Sequence, residues 1–227
     1  MRPTEKVNEP RRARGVAIIA ALFLGVSISL SACAEPRSGS DPTAGSAEAQ
    51  NSDERFWQTF RISGDEVEPY VPLGSMAQTA DATVLARFGK VGKIRTLTAE
   101  GNDTVHYVSV DLAVTRELAG KGGLPSVVPL EFMVIPGRGQ SIDDVAGEMS
   151  AALPKEEMVL FLRAKKGAGE AGLYRVVNSR GLWASTSRET LDTPLAEKPV
   201  KDEAQYKSDL AKVSTIPELA NLVDNLR

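Results

Sequence analysis

The chain has 227 residues, of which 42% are apolar and 25% charged, a balance that excludes an intrinsically disordered protein and allows one ordinary domain or two small ones. Its formal net charge of −3 excludes the strongly basic surface by which proteins bind nucleic acids and anionic lipids. A single cysteine, Cys33, and a single histidine, His106, exclude an intrachain disulfide and every metal site that needs two imidazoles.

The N-terminal segment has the parts of a bacterial export signal. PRRAR (10–14) is a compact basic region, and VAIIAALFLGVSIS (16–29) is an apolar run of the length that signal peptides use. LSAC follows and ends at Cys33, and it resembles the lipobox of bacterial lipoproteins. The resemblance implies cleavage between Ala32 and Cys33 and attachment of acyl chains, palmitate among them, to the new N-terminal cysteine.

Acylation would decide where the protein is located. Several acyl chains, at about 0.8 kcal/mol per buried methylene, would hold it stably on the outer face of the cytoplasmic membrane. An uncleaved transmembrane helix over residues 15–32 is an alternative, and a buried free thiol at Cys33 is another. Four Ser and Gly residues in the second half of that segment argue against a membrane-spanning helix.

Removal of the signal changes the charge of the protein. Residues 1–32 carry five basic and two acidic side chains, so the mature chain has 22 basic against 28 acidic side chains. The sequence therefore predicts no nucleic-acid partner. It also predicts that the acyl chains alone anchor the protein to the membrane, without electrostatic attraction between basic residues and anionic lipids.

The chain divides into four predicted regions. These are a lipoprotein signal peptide (1–32), a lipid-anchored flexible linker (33–54), a β-barrel domain (55–200) and a C-terminal helical segment (201–227). The linker is rich in Ala, Ser, Gly and Pro, and such a segment buries too little apolar surface to fold. Phe56, Trp57 and Phe60 follow it directly, and we expect them to pack against the core.

Short β-strands dominate the predicted domain. Period-two alternation and β-branched residues indicate six strands, at 83–91, 105–118, 127–135, 158–165, 173–177 and 182–186. A short helix is expected over Ser75–Ala80, before the first strand. Near the C-terminus, Thr215 and Glu218 predict a capping box, and Leu219, Leu222, Val223 and Leu226 repeat at helical spacing.

The predicted fold is mainly β: a small antiparallel Greek-key (OB-like) barrel with a C-terminal helical segment. The strings ADATVLARFGKV, VSVDLAVTRELAGKG, VPLEFMVIPG, MVLFLRAK and GLYRVVNSRGLW resemble a class of uncharacterised exported proteins of Gram-positive bacteria with OB-like barrels. The resemblance covers about residues 80–186 and contains no catalytic motif.

No catalytic, cofactor-binding or metal-binding residue is predicted. His106 is in phase with apolar residues of its strand and is interpreted as a structural histidine at the barrel end. The acidic groups, the pairs Asp143/Asp144 and Glu156/Glu157 and the trio Asp65, Glu66 and Glu68, are interpreted as solvated surface. The glycine loops AGKGG (119–123) and PGRGQ (136–140) are interpreted as turns, because neither matches a phosphate-binding loop.

The favoured function is a non-enzymatic binding or interaction module, meeting the cell wall or an envelope protein. A carboxylate-dependent cell-wall hydrolase and a purely structural envelope protein are the alternatives. Residues 137–154 are expected to be a long polar loop and the first place to look for a binding site, because connections of that length are unusual in compact barrels.

Overall fold

A computed structural model describes residues 54–60, 72–98, 104–185, 191–196, 207–211 and 213–226. The predicted cleavage site at Ala32 and Cys33, the linker before residue 54, and Asp65, Glu66 and Glu68 lie outside the described residues. None of the described helices is long and apolar enough to cross a bilayer.

The described part of the chain is mainly β, as predicted. Its seven strands are β1 (Ala82–Thr98), β2 (Thr104–Gly120), β3 (Val127–Val134), β4 (Met158–Ala164), β5 (Tyr174–Val176), β6 (Leu182–Ser185) and β7 (Leu191–Asp192). The helices are α1 (54–58), α2 (Leu73–Thr79), α3 (Ile142–Ala151), α4 (Lys207–Leu210) and α5 (Ile216–Asp224). The six predicted strands are confirmed, and β7 is an additional short one.

The strands form one sheet in the order β1-β2-β3-β5-β4-β6-β7, and a further pairing of β1 with β4 bends part of it into a partial ring. Six of the seven pairings are antiparallel, whereas Leu130 of β3 pairs with Tyr174 of β5 in a parallel sense. The prediction of an entirely antiparallel sheet is therefore wrong at the β3–β5 pairing. Strand directions cannot alternate all the way round a ring of five strands, so one neighbouring pair must be parallel.

Irregular pairing in β1 allows that strand to reach two partners. Its register against β2 shifts at four places, two of them between Phe88 and Ile94. Gly92 lies in this stretch, and a Cβ there would stand 2.6 Å from Ser109 Oγ. The Ser109 hydroxyl donates to Lys93 O and accepts from Lys93 N, which holds the bulged segment against β2. Such bulges bend a strand and increase its twist, as closure of a sheet requires.

Two hydrophobic cores lie on opposite sides of β4. Leu160 and Leu162 join the core inside the partial ring, while Val159 and Phe161 join a second core beneath α2 and α5. This position explains why MVLFL is continuously apolar instead of alternating. The first core also contains Phe56, Trp57 and Phe60, so the prediction that these aromatic residues pack in the core is confirmed.

Two helix predictions need correction. Residues 142–151 form α3, not a loop, and α3 begins with a capping box between Ser141 and Asp144. At α5, Thr215 accepts from Glu218 N as predicted, but the Glu218 carboxylate accepts from the N–H and hydroxyl of Ser214. In both helices the N-cap side chain accepts from an N–H group of the first turn. In α3 the Asp144 carboxylate accepts from the Ser141 N–H in return, whereas in α5 the Glu218 carboxylate accepts from Ser214.

Candidate functional site

Strands β1, β2 and β3 turn one side toward the first core and the other side outward. Val108, Phe132 and Val134 point into the core, so their neighbours in each strand point the other way. Strand register places Arg95 opposite Tyr107, and Tyr107 opposite Met133. We call this side the outer face; its residues include Arg95, Leu97, Tyr107, Ser109, Val127, Glu131 and Met133, with Ile135 directly after β3.

Four charged side chains form a closed cluster on the outer face. Arg95 donates from Nε to Glu131 Oε1 at 3.1 Å and from Nη2 to Glu131 Oε2 at 2.7 Å. The same Nη2 donates to Glu170 Oε1 at 2.7 Å. Lys165 Nζ lies 2.7 Å from Glu131 Oε2 and 3.0 Å from Glu170 Oε1. Each cation therefore contacts both carboxylates, and we call this set the charged cluster.

The charged cluster is largely removed from solvent. The Glu131 side chain is only 3% exposed, and those of Lys165 and Glu170 are 11% and 15% exposed. Tyr107 lies beneath both cations: Arg95 Cζ is 4.9 Å and Lys165 Nζ is 4.2 Å from its ring centroid. Charges buried this far are tolerated only when they are paired and hydrogen-bonded, as all four are here.

The charged cluster fastens the connection between β4 and β5 to the outer face. Lys165 and Glu170 both belong to this connection, residues 165–173. Glu170 also accepts from Gly167 N at 2.9 Å, and its own N–H donates to Gly167 O. Because the same carboxylate closes this tight turn and bonds to Arg95, the connection is held in place at its centre as well as at its ends.

Hydrogen bonding keeps both carboxylates ionised. Burial by itself would raise the pKa of Glu131, but hydrogen bonds from Arg95 and Lys165 outweigh burial and lower it. Hydrogen bonds from Lys165 and Arg95 lower the pKa of Glu170 to about 2. The pKa of Arg95 is raised by its hydrogen bonds to the two glutamates. The geometry therefore favours the fully charged form of the charged cluster.

Acid should weaken the fold through Glu170. Because its pKa is lowered on folding, Glu170 contributes stability above its ordinary pKa of 4.5, and that contribution is lost as the pH falls toward about 2. The free energy of unfolding of Glu170→Gln should therefore depend less steeply on pH across this window than that of the unmodified chain. Denaturant titrations between these pH values measure the difference, with the exposed Glu148→Gln as control. Parallel pH profiles for Glu170→Gln and the unmodified chain would contradict this assignment.

Exposed aliphatic side chains flank the charged cluster. Among the described residues, five large hydrophobic side chains are exposed: Leu97, Val127, Met133, Ile135 and Leu226. All but Leu226 belong to the outer face, and Ile135 is 68% exposed. Every described Trp and Phe is instead buried. The outer face therefore combines aliphatic contact area with a buried, electrically balanced centre.

A cleft adjoins the charged cluster at the end of β4. It is open to solvent, has a volume of about 330 Å³, and is lined by Asp81, Arg163, Ala164, Lys165, Lys166, Glu170 and Arg175. Asp81 is fixed at its position because its Oδ2 accepts from Ala164 N at 3.0 Å. Lys165 and Glu170 belong to both features, so the cleft and the charged cluster share one wall.

Those groups singled out in the sequence that lie within the described residues do not assemble into one site. His106 Nδ1 lies 3.0 Å from Thr96 Oγ1 in the next strand, which fits a structural histidine. Asp144 caps α3, and Glu157 contacts Thr115 and Arg87. Both glycine loops contain local turn hydrogen bonds, from Gly122 N to Glu117 and from Gly137 N to Gln140.

The expectation of a loop-borne site at 137–154 rested on a wrong premise. Val145 and Met149 of α3 are buried in the first core, so this connection is mostly a packed helix. The charged cluster itself was missed. Its one local signal is Glu131, the only charged residue within VVPLEFMVI, but its partners lie 34 or more positions away in sequence.

Within the described ranges, no three His, Cys, Asp or Glu residues lie close enough together to hold a metal ion. Comparison of the chain with protein-family models, with curated proteins and with solved structures found no match.

Proposed function

We propose that this protein is a lipid-anchored, extracytoplasmic and non-enzymatic binding module that recognises another protein of the bacterial cell envelope. The anchor is an acylated Cys33, the location is the outer face of the cytoplasmic membrane, and the binding surface is the outer face of β1–β3. The fold assigned to it is a small OB-like Greek-key barrel.

The strand connections support the OB-like assignment. Five strands pair in the circular order β1-β2-β3-β5-β4, with α3 between β3 and β4. OB-folds are five-stranded, partly open Greek-key barrels that bind ligands on the face of strands 2 and 3 and on the loops that follow strands 1 and 4. The charged cluster and the exposed aliphatic residues occupy the corresponding region.

The concentration of exposed aliphatic side chains on the outer face carries the proposal. Leu97, Met133 and Ile135 lie at one end of this face, and such clustered exposure is typical of protein interaction sites. Proteins that bind single-stranded nucleic acids stack the bases on exposed aromatic rings, and flat apolar faces of sugar rings pack on aromatic side chains in the same way. The described Trp and Phe residues are all buried, and the ring of Tyr107 on the outer face is occupied by Arg95 and Lys165, so a protein partner fits this surface better than a glycan.

The charged cluster does not support the hydrolase alternative, although the carboxylates of Glu131 and Glu170 lie close together there. A glycosidase needs one carboxylic acid whose pKa is raised so that it can donate a proton. Both of these carboxyl groups have lowered pKa values and are bonded to Arg95 and Lys165. Neither one is therefore poised as a general acid.

Loss of partner binding from the outer face tests the function. Chemical cross-linking in intact cells should capture a partner with the unmodified chain, and Ile135→Ser should weaken capture by about tenfold, as expected for an interface hot spot. Leu226→Ser is the matched control, because Leu226 is an exposed aliphatic residue outside this face. Equal capture by both variants would place the interface elsewhere.

Acylation of Cys33 has its own test. Mass spectrometry of the N-terminal peptide from a native membrane fraction should find residue 33 as the first residue and carrying acyl chains. Cys33→Ala should leave the protein out of that fraction, because the chain then lacks its hydrocarbon anchor. A mature chain that still contains residues 1–32 would instead support a membrane-spanning helix.

A further inference from the structure

Hydrogen bonding between β2 and β3 fixes the direction of each backbone group of β3. Val114 N donates to Ser126 O at 2.9 Å, directly before β3 begins. Hydrogen-bonded and non-hydrogen-bonded pairs alternate along an antiparallel ladder, and the register between these two strands does not shift. The even-numbered residues of β3 therefore bond to β2, whereas the odd-numbered residues turn their N–H and C=O groups to the opposite side. Pro129 fits this phase, because a proline has no N–H to give to the ladder.

The end of β3 has a free edge on the side that faces away from β2. The described strands pair with β3 on that side only at Leu130. Met133 and the adjoining Ile135 thus have no strand partner there within the described part of the chain. Pro136 keeps the preceding Ile135 extended, because a proline disfavours helical conformations of the residue before it. The N–H and C=O groups of a free edge are a template for pairing with another strand.

This edge lacks the protection that the long edge of β1 carries. Strand β1 pairs with β4 only over residues 82–86, and beyond that pairing it has register shifts and the exposed Lys90 and Lys93. Bulges and lysines are the usual means of keeping an edge strand from pairing with other chains. The end of β3 has no register shift and exposes two apolar side chains, Met133 at 40% and Ile135 at 68%. The edge of β3 is therefore available for pairing.

We propose that the protein partner adds an extended strand to the free edge of β3, beside Met133 and Ile135. The inference rests on the proposed function, because this edge borders the proposed binding surface. Main-chain hydrogen bonds supply affinity, and apolar side chains at alternate positions of the added strand pack on Met133 and Ile135. A second copy of the folded chain fits less well. The free edge is only about 10 Å long, whereas a stable interface between folded proteins buries about 800 Å² on each partner.

Peptides selected from a phage-displayed library of random decapeptides test this binding mode on the full chain carrying Cys33→Ser, which cannot be acylated. N-methylation of a selected peptide should raise its dissociation constant by at least about tenfold at alternate residues and have little effect between them. The reason is that only alternate N–H groups of an added strand face β3. Met133→Pro should cause a loss of similar size, because it removes an outward N–H of β3 and no bond to β2. Met133→Ala keeps this N–H and should weaken binding less.

Peptide methylation leaves the protein itself unchanged, so this readout does not depend on how well a variant folds. Leu226→Ala truncates an exposed aliphatic side chain outside the outer face and should leave peptide binding unchanged.

Three results would overturn strand addition: a library that yields no binding peptide, peptides that tolerate methylation at every position, and equal binding to Met133→Pro and the unmodified chain. Loss of partner capture by Ile135→Ser alongside any of these results would reject strand addition and still retain the outer face as the binding surface.

Discussion

Glu131→Gln is expected to lower the free energy of unfolding by about 3 kcal/mol, because it removes one charge from a buried ion-pair network and leaves the others in place. Arg95 and Lys165 would then share only one carboxylate, that of Glu170. The glutamine amide keeps one acceptor oxygen, but its NH2 group cannot accept a hydrogen bond from either cation. Denaturant unfolding of the two proteins measures the difference. Glu148→Gln makes the same chemical change at an exposed position and should have little effect.

A double variant shows whether the loss comes from broken charge balance. Glu131→Gln combined with Lys165→Met removes one charge of each sign from the charged cluster. The double variant should therefore lose clearly less stability than the sum of the two single variants. Strict additivity would mean that Glu131 and Lys165 act independently, contrary to the contact between Lys165 Nζ and Glu131 Oε2.

Phe56→Ala is expected to lower the free energy of unfolding by about 4 kcal/mol, the usual range for a fully buried phenylalanine. The Phe56 ring is 0% exposed, with centroid distances of 4.9 Å to Trp57, 4.9 Å to Phe60 and 5.3 Å to Phe88. Truncation leaves a cavity among aromatic rings that also lose edge-to-face contacts. Urea denaturation of the purified protein provides the measurement.

Gln58→Ala is the control for this change, because Gln58 lies on the exposed side of the same short helix. If Phe56→Ala cost no more than Gln58→Ala, α1 would contribute nothing to the core. The expected large difference would show that the folded domain requires residues that directly follow the predicted linker. The predicted linker and the proposed binding surface would then be joined through a packed segment.

The candidate binding surface also depends on the charged cluster. Arg95, Glu131 and Tyr107 belong to three adjacent strands, while Lys165 and Glu170 come from the connection between β4 and β5. Loss of the charged cluster would free that connection from the outer face and alter one wall of the cleft. Variants of Glu131 therefore suit stability measurements, whereas variants of Ile135 suit binding measurements, because the Ile135 side chain is exposed.

The sequence by itself determined the positions of the strands and the buried side of most of them. Alternation in VVPLEFMVI and the continuous apolar run in MVLFL are local patterns. Successive side chains of a strand point to opposite sides of the sheet, so such patterns indicate which side is buried. The same local logic identified α5 and the core role of Phe56 and its neighbours. Helix α3 was missed because its segment, IDDVAGEMSA, is largely polar, contains Gly147 and buries only Val145 and Met149, so its helical period is weak.

Only the tertiary structure decided how the ring closes and which charges meet. Arg95 is separated from Glu131 by 36 positions and from Glu170 by 75, and no local pattern indicates that three distant segments converge at one point. The two sides of a strand were predictable because strand geometry is set by neighbouring residues. The burial of Glu131 was not, because it depends on cations supplied by β1 and by the connection that follows β4.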